Sequence, residues 1–257
     1  MVVIVILLRW VSEPYKFEDS VPDGIKINTA DEAMWRETGI PKIIHQTAPA
    51  DESRWHELWK PCQQSWKEKF PDWQYMFWND EDLENLVKND YPWFYDTYKG
   101  YDKHIKRVDA ARYFMLHKYG GMYVDMDYEC INNFEHLLPG HKVSIAESPY
   151  KNDGRPDTET HQNALMASPQ GHPFWDHVFK LLDDNKNHDA VLYATGPYII
   201  VKAVKDFGEY VNTLEYELFA PSHTKQFRRA QFEKYNELPP VENKNIYARH
   251  LGTGAWV

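Results

Sequence analysis

The sequence predicts an α/β fold, a mostly parallel sheet flanked by helices, and two observations carry the prediction. The spacing of apolar residues switches between the continuous or two-residue pattern of strands and the 3.6-residue period of helices. From Pro41 onward the first four such segments read strand, helix, strand, helix, an order that lays parallel strands side by side beneath covering helices. Length agrees: 257 residues can form one large core, and 42% hydrophobic residues can fill it.

Met1 to Leu8 is an apolar run ending at Arg9, far short of the roughly 20 residues that span a bilayer. It has neither a basic leader nor a small-residue cleavage site, and reads as a peripheral strand, a remnant anchor or a short membrane-touching tip. Residues 12–40 are polar and mixed, with one short helix expected around Asp31 to Glu37. The chain therefore divides into an N-terminal apolar segment and linker, 1–40, and a folded domain, 41–257.

Lys42-Ile43-Ile44-His45-Gln46-Thr47 reads as a buried strand between Pro41 and the Ala48-Pro49 breaker. Trp55, Leu58, Trp59, Cys62 and Trp66 then recur at helical spacing until Pro71 ends the pattern. A second strand is expected over Trp73 to Trp78 and a second helix over Asp80 to Asn89. Tyr91-Pro92-Trp93-Phe94-Tyr95 reads as a short helix opened by its proline. The long helix His104 to Tyr119 carries a core stripe of Ile105, Val108, Ala111 and Met115, and Gly120-Gly121 supplies a left-handed stop.

Further along, Val143 to Ala146 reads as a strand, and Glu147 to Gln162 as a long aperiodic loop suited to a lid or recognition role. Ala164 to Ser168 follows as a strand. His172 to Asn185 is a helix with Pro173 in its first turn and Trp175, Val178, Phe179 and Leu182 facing inward. Thr195-Gly196-Pro197 introduces a helix from Tyr198 to Phe207, and the tail runs from Ile246 to Trp256.

Composition excludes several functions. A formal charge of -10 and no basic stripe argue against a phosphate-backbone tracking surface, so no nucleic-acid partner is expected. The mean hydropathy of -0.69 argues against a multi-span membrane protein. Cys62 and Cys130 form no ligand spacing and read as buried small hydrophobes. No Asn-x-Ser/Thr acceptor occurs. Ten tryptophans within an aromatic content of 15% suit stacking on sugar rings or bases as well as filling a core.

The chemistry centres on Tyr119-Gly120-Gly121-Met122-Tyr123-Val124-Asp125-Met126-Asp127. Continued as a strand, this run puts Tyr123, Asp125 and Asp127 on one face, with successive same-face residues roughly 6.5 Å apart. Two carboxylates so placed repel unless a divalent cation or its bound water bridges them. Asp80 and Asp82 have the same spacing but open a helix, where the dipole favours acids and residues two apart do not face each other. Asp109 and Arg112, three apart on the preceding helix, read from spacing alone as a surface ion pair worth about 0.2 to 0.5 kcal/mol. An oxygen-ligated cation of the Mg2+ or Mn2+ kind grips pyrophosphate, and as a Lewis acid it assists cleavage of a nucleotide sugar or hydrolysis of a phosphate ester. A haloacid-dehalogenase type phosphatase fits poorly, because no GDxxxD motif follows. A metal-dependent carbohydrate-binding module accounts for the aromatics but not for Asp109 and Arg112.

Taken together, Ile105 to Phe114 and Tyr119 to Asp127 resemble the DxD signature of glycosyltransferase family 32, which includes inositol-phosphoceramide mannosyltransferases and the yeast initiating α-1,6-mannosyltransferase. Ile40 to Thr47, Tyr91-Pro92-Trp93, Ser168 through Phe174, Thr195-Gly196-Pro197, His250 and Trp256 fall in the family order. The resemblance covers Pro41 to the end. It implies a Rossmann-like GT-A fold, a catalytic domain over 41–257, and a retaining transfer of a hexose, with mannose favoured. It also implies Mn2+ or Mg2+ as cofactor, GDP-mannose or a UDP-hexose as donor, and a glycan or glycolipid acceptor. Residue by residue, Asp127 would ligate the metal and Asp125 would contact donor ribose and metal shell. Asp109 and Arg112 would bind donor-sugar hydroxyls, Tyr123 would sit against the donor, Ile43 and His45 would face the nucleotide, and His250 would complete the metal site. Golgi or other endomembrane residence is implied too, with membrane association through the N-terminus, although typical members carry a full anchor and Met1 to Leu8 is too short to be one.

Overall fold

A computed structural model describes residues 29–148, 160–220, 238, 241 and 243–254. Met1 to Leu8, the interior of the expected recognition loop and Trp256 lie outside the described residues. The main sheet has six strands: β1 (Ile43–Thr47), β2 (Gln74–Trp78), β3 (Gly121–Val124), β5 (Val143–Glu147), β6 (His161–Ser168) and β7 (Val211–Leu214), in the order β2-β1-β3-β6-β5-β7. The pairs β1/β2, β1/β3 and β5/β7 are parallel, while β6 runs antiparallel to both neighbours. A separate two-stranded ribbon joins β4 (Tyr128–Cys130) to β8 (Ala248–His250), antiparallel.

The expected strand, helix, strand, helix opening is present, with one shift. The tryptophan-rich period predicts a helix from Trp55, but residues 52–54 form a 3-10 turn and helix α2 spans Trp59–Lys69. Trp55 instead donates its indole N–H to the Pro49 carbonyl, so a turn uses the first members of the stripe. Helix α3 (Asp80–Asp90) begins at a capping box in which the Asn79 side chain accepts from the Glu81 and Asp82 amides and Asp82 returns a bond to the Asn79 amide. The Asp80/Asp82 pair is thus a helix start. Helix α4 (Pro92–Gly100) is longer than its five-residue seed. Helices α6 (Phe174–Asp184) and α8 (Pro197–Phe207) lie as expected, with Trp175, Val178, Phe179 and Leu182 buried.

Helix α5 (His104–Tyr119) has the expected bounds, but its burial exceeds a stripe: Lys106 and Val108 through Leu116 are all buried. It is a central helix. Gly120 and Gly121, with φ of 62° and 88°, turn the chain from α5 directly into β3. A Cβ on Gly121 would lie 2.6 Å from the Ile43 carbonyl oxygen, so only glycine lets the turn seat against β1.

Helix α1 (Thr29–Thr38), within the N-terminal segment, docks on the domain through Trp35, whose ring lies 4.7 Å from that of His172 and whose indole N–H reaches the Gln170 carbonyl. Among the described residues no helix is long and apolar enough to cross a membrane. Cys62 and Cys130 are buried free thiols, as expected.

Candidate active site

β3 ends at Val124, so the two aspartates are not on a continuing strand. The Asp125 amide still bonds to the Ala164 carbonyl of β6, and the chain then turns, with the Tyr128 amide closing on the Asp125 carbonyl at 3.1 Å. The carboxylates come together through this turn and not through the strand pleat, because the chain leaves the main sheet here to start the ribbon.

The buried helix α5 delivers Asp109 and Arg112 to the same place. One Arg112 Nη donates to Asp109 Oδ1 at 3.0 Å, and the other to Asp125 Oδ1 at 3.1 Å and the Asn163 carbonyl at 2.9 Å. The guanidinium also lies 4.5 Å from the centroid of the Tyr123 ring. The side chains of Arg112 and Asp109 are 3% and 8% exposed, which overturns the surface-pair reading. Burial pushes the Asp109 carboxyl up to about 6, even against the adjacent guanidinium. Burial also raises Asp125, opposed by Arg112 and reinforced by Asp127.

Asp127 is held from the tail. The His250 Nε2 lies 3.2 Å from its Oδ1, and the Thr253 amide and hydroxyl both donate to its Oδ2, at 2.8 and 3.1 Å. Burial works against the charged form here, yet His250 and the Thr253 bonds outweigh it and hold the carboxyl down at about 2. The His250 ring stacks on Tyr128 with centroids 4.6 Å apart. One ligand atom from each of Asp125, Asp127 and His250 lies within 4.8 Å of the others. Two carboxylates and an imidazole form a donor set suited to a divalent cation of the first transition row or Mg2+. Asp125 fits that role: its Oδ1 is taken by Arg112 and by the Tyr123 hydroxyl at 2.7 Å, while its Oδ2 has no hydrogen bond among the described residues.

Not every expected site residue joins this group. Ile43 opens β1, which runs parallel to β3, so it stands at the end of the strands away from the aspartates. His45 is fully buried: Nε2 donates to the Gly120 carbonyl and Nδ1 accepts from the Trp78 indole, leaving neither nitrogen for a ligand. The next residues reach the site in their place. Gln46 bonds the Asp125 carbonyl and Thr47 pairs with the Tyr123 hydroxyl.

Several participants carried no local signal. Asn163 donates to Asp109 Oδ1 and to the Tyr113 hydroxyl, and Thr195 donates to Asp109 Oδ2. Asn163 falls between the expected loop, which ends at Gln162, and the expected strand, which begins at Ala164, yet His161, Gln162 and Asn163 are all buried in β6. Thr253 was noticed only as part of the tail.

Residues 56–144 match the family described as "Glycosyltransferase sugar-binding region containing DXD motif". The chain is similar to mannosyl phosphorylinositol ceramide synthase CSH1 of Saccharomyces cerevisiae, 34% identical over 183 residues, covering 68% of this chain and 45% of that protein. It is similar also to inositol phosphoceramide mannosyltransferase 3 of Schizosaccharomyces pombe, 35% identical over 166 residues, covering 63% and 44%. The chain thus spans under half the length of these relatives. Among solved structures, PaToxG glycosyltransferase superposes with a TM-score of 0.50 at 16% identity, covering 69% of this chain and 75% of that one, a likeness of fold.

Proposed function

We propose, from the premise that this chain belongs to the DXD-containing glycosyltransferases, that it transfers a hexose, mannose by preference, from a nucleoside diphosphate sugar to a glycan or glycolipid acceptor. The observation that carries the reading is the sharing of Arg112 between Asp109 and Asp125, directly beside the Asp125, Asp127 and His250 group. A charged, buried cluster of this kind is costly to form. Joined to a cation site, it suits a ligand that offers sugar hydroxyls at one end and a diphosphate at the other. Similarity to mannosyltransferases supports mannose, with GDP-mannose or a UDP-hexose as donor.

Asp125, Asp127 and His250 would hold Mn2+ or Mg2+, which when bound neutralises charge on the departing diphosphate. Asp109 and Arg112 orient the donor sugar, with the charged groups bonding its hydroxyls. The Tyr123 hydroxyl donates to Asp125 Oδ1 and so fixes that carboxylate. Asp109 is an unsuitable nucleophile, since Oδ1 accepts from Arg112 and Asn163 and Oδ2 from Thr195. The expected course is front-face displacement with retention, in which the leaving diphosphate takes the acceptor proton. A covalent glycosyl adduct on an Asp or Glu would refute it.

Incubation with Mn2+ and a panel of nucleotide sugars identifies the donor by the diphosphate released. Asp127→Asn should abolish metal-dependent turnover while leaving the circular dichroism spectrum unchanged. Release from no nucleotide sugar, together with tight glycan binding, would instead make the chain a carbohydrate-binding module.

A further inference from the structure

The ribbon that brings the tail to Asp127 is only three residues long on each side, Tyr128–Cys130 against Ala248–His250. So short a pair has little backbone hydrogen bonding with which to choose its register, and two strands alone are marginally stable. A slip of one residue would turn every side chain to the other face and carry His250 away from Asp127.

At the centre of the ribbon, Glu129 pairs with Arg249. The Arg249 Nε donates to Glu129 Oε2 at 2.8 Å, and Nη2 donates to the same oxygen. The residues are 5% and 6% exposed. Helix α2 packs on β4, with the Trp66 indole donating to the Tyr128 carbonyl and the Ser65 hydroxyl accepting from the Cys130 amide. A buried ion pair contributes little net stability compared with apolar residues of similar size, and its best-attested use is to specify register. Only one alignment of the two strands places Arg249 opposite Glu129. That same alignment sets His250 opposite Tyr128, where the rings stack, and it directs the Leu251 amide onto the Asp127 carbonyl and the Thr253 amide onto Asp127 Oδ2.

We propose that Glu129 and Arg249 are positioning residues, a buried ionic register lock that presents His250 and Thr253 to Asp127 and thereby shapes the cation site. The inference rests on the metal reading above for its consequence, and on the ribbon geometry alone for its cause. It separates two properties that a merely structural pair would join, namely the stability of the fold and the placement of the tail.

The test is the double substitution E129M/R249M, which removes both charges at similar volume, measured against wild type and against the charge swap E129R/R249E. Thermal unfolding should be nearly unchanged in E129M/R249M. Mn2+ affinity, read by electron paramagnetic resonance of free Mn2+, should fall by about 10- to 100-fold, the range for lost outer-shell support. The amides of Leu251 and Thr253 should lose hydrogen-exchange protection, and the charge swap should recover part of both signals. Unchanged protection of these amides in E129M/R249M would overturn the register lock, whatever the metal does. Loss of protection in a protein whose wild type binds no Mn2+ would uphold the lock and refute the cation reading instead. Should E129M/R249M unfold, E129Q alone, read by the same exchange at Leu251 and Thr253, decides between the outcomes.

Discussion

Arg112→Met separates a buried charge network from a surface pair by its magnitude. The guanidinium holds two carboxylates, Asp109 at 3.0 Å and Asp125 at 3.1 Å, and the Asn163 carbonyl at 2.9 Å, with its side chain 3% exposed. An exposed i,i+3 pair on a helix is worth about 0.2 to 0.5 kcal/mol, whereas removing one member of a buried pair costs about 3 to 5 kcal/mol because the partner charges stay behind. The expected loss is therefore about 3 to 5 kcal/mol at pH 8, measured by urea unfolding. It should shrink at acid pH. Asp109 already stands at about 6 with the guanidinium present, so without it the carboxyl rises further. A group raised in the folded state stabilises below its unfolded value and loses that contribution as pH climbs through the folded one. The R112M deficit should thus be smaller at pH 5 than at pH 8. A deficit under about 1 kcal/mol, flat with pH, would refute the buried network.

Two other expectations concern the scaffold. Gly121→Ala should cost about 1 to 3 kcal/mol from the left-handed backbone alone, and more from the Cβ placed 2.6 Å from the Ile43 carbonyl oxygen; denaturant unfolding measures it, and a neutral result would mean that the turn can move away from β1. His45 is held at about 4, mainly by burial, and its Nδ1 already accepts from Trp78. Its contribution, about 3 kcal/mol by linkage, is full above the unfolded value near 6.5 and lost as pH falls toward 4. An NMR titration of the His45 ring centred near 6.5 would contradict this placement.

How much of this was legible in sequence depended on whether the cause was local. The acidic helix start at Asp80 and Asp82, the Gly120-Gly121 stop and the apolar period of α5 lie within a few residues of what they determine, and each element stands where its signal put it. The depth at which α5 is buried was less readable. Lys106, Asp109 and Arg112 look like a solvated face, and only the strands and helices packed around them reveal otherwise. The two-residue alternation that points to the aspartates continues through Met126, while the strand stops at Val124 and the chain turns to pair Tyr128–Cys130 with β8, more than a hundred residues away. Asn163 was invisible for the same reason, and Thr195 stood out only as the start of the Thr195-Gly196-Pro197 motif; the role of both in the site comes from Asp109. His45 misled in the opposite direction, because a histidine in a motif invites a ligand role that its two internal hydrogen bonds preclude.

The turn from Asp125 to Asp127 joins two sheets, and its ends belong to different ones. The Asp125 amide is bonded to β6 of the main sheet, while the Asp127 carbonyl accepts from Leu251 just beyond the ribbon. A cation held by Asp125, Asp127 and His250 together would therefore also tie the body of the molecule to its returning tail. A ligand that binds the folded chain and not the unfolded one then raises stability with the logarithm of its concentration.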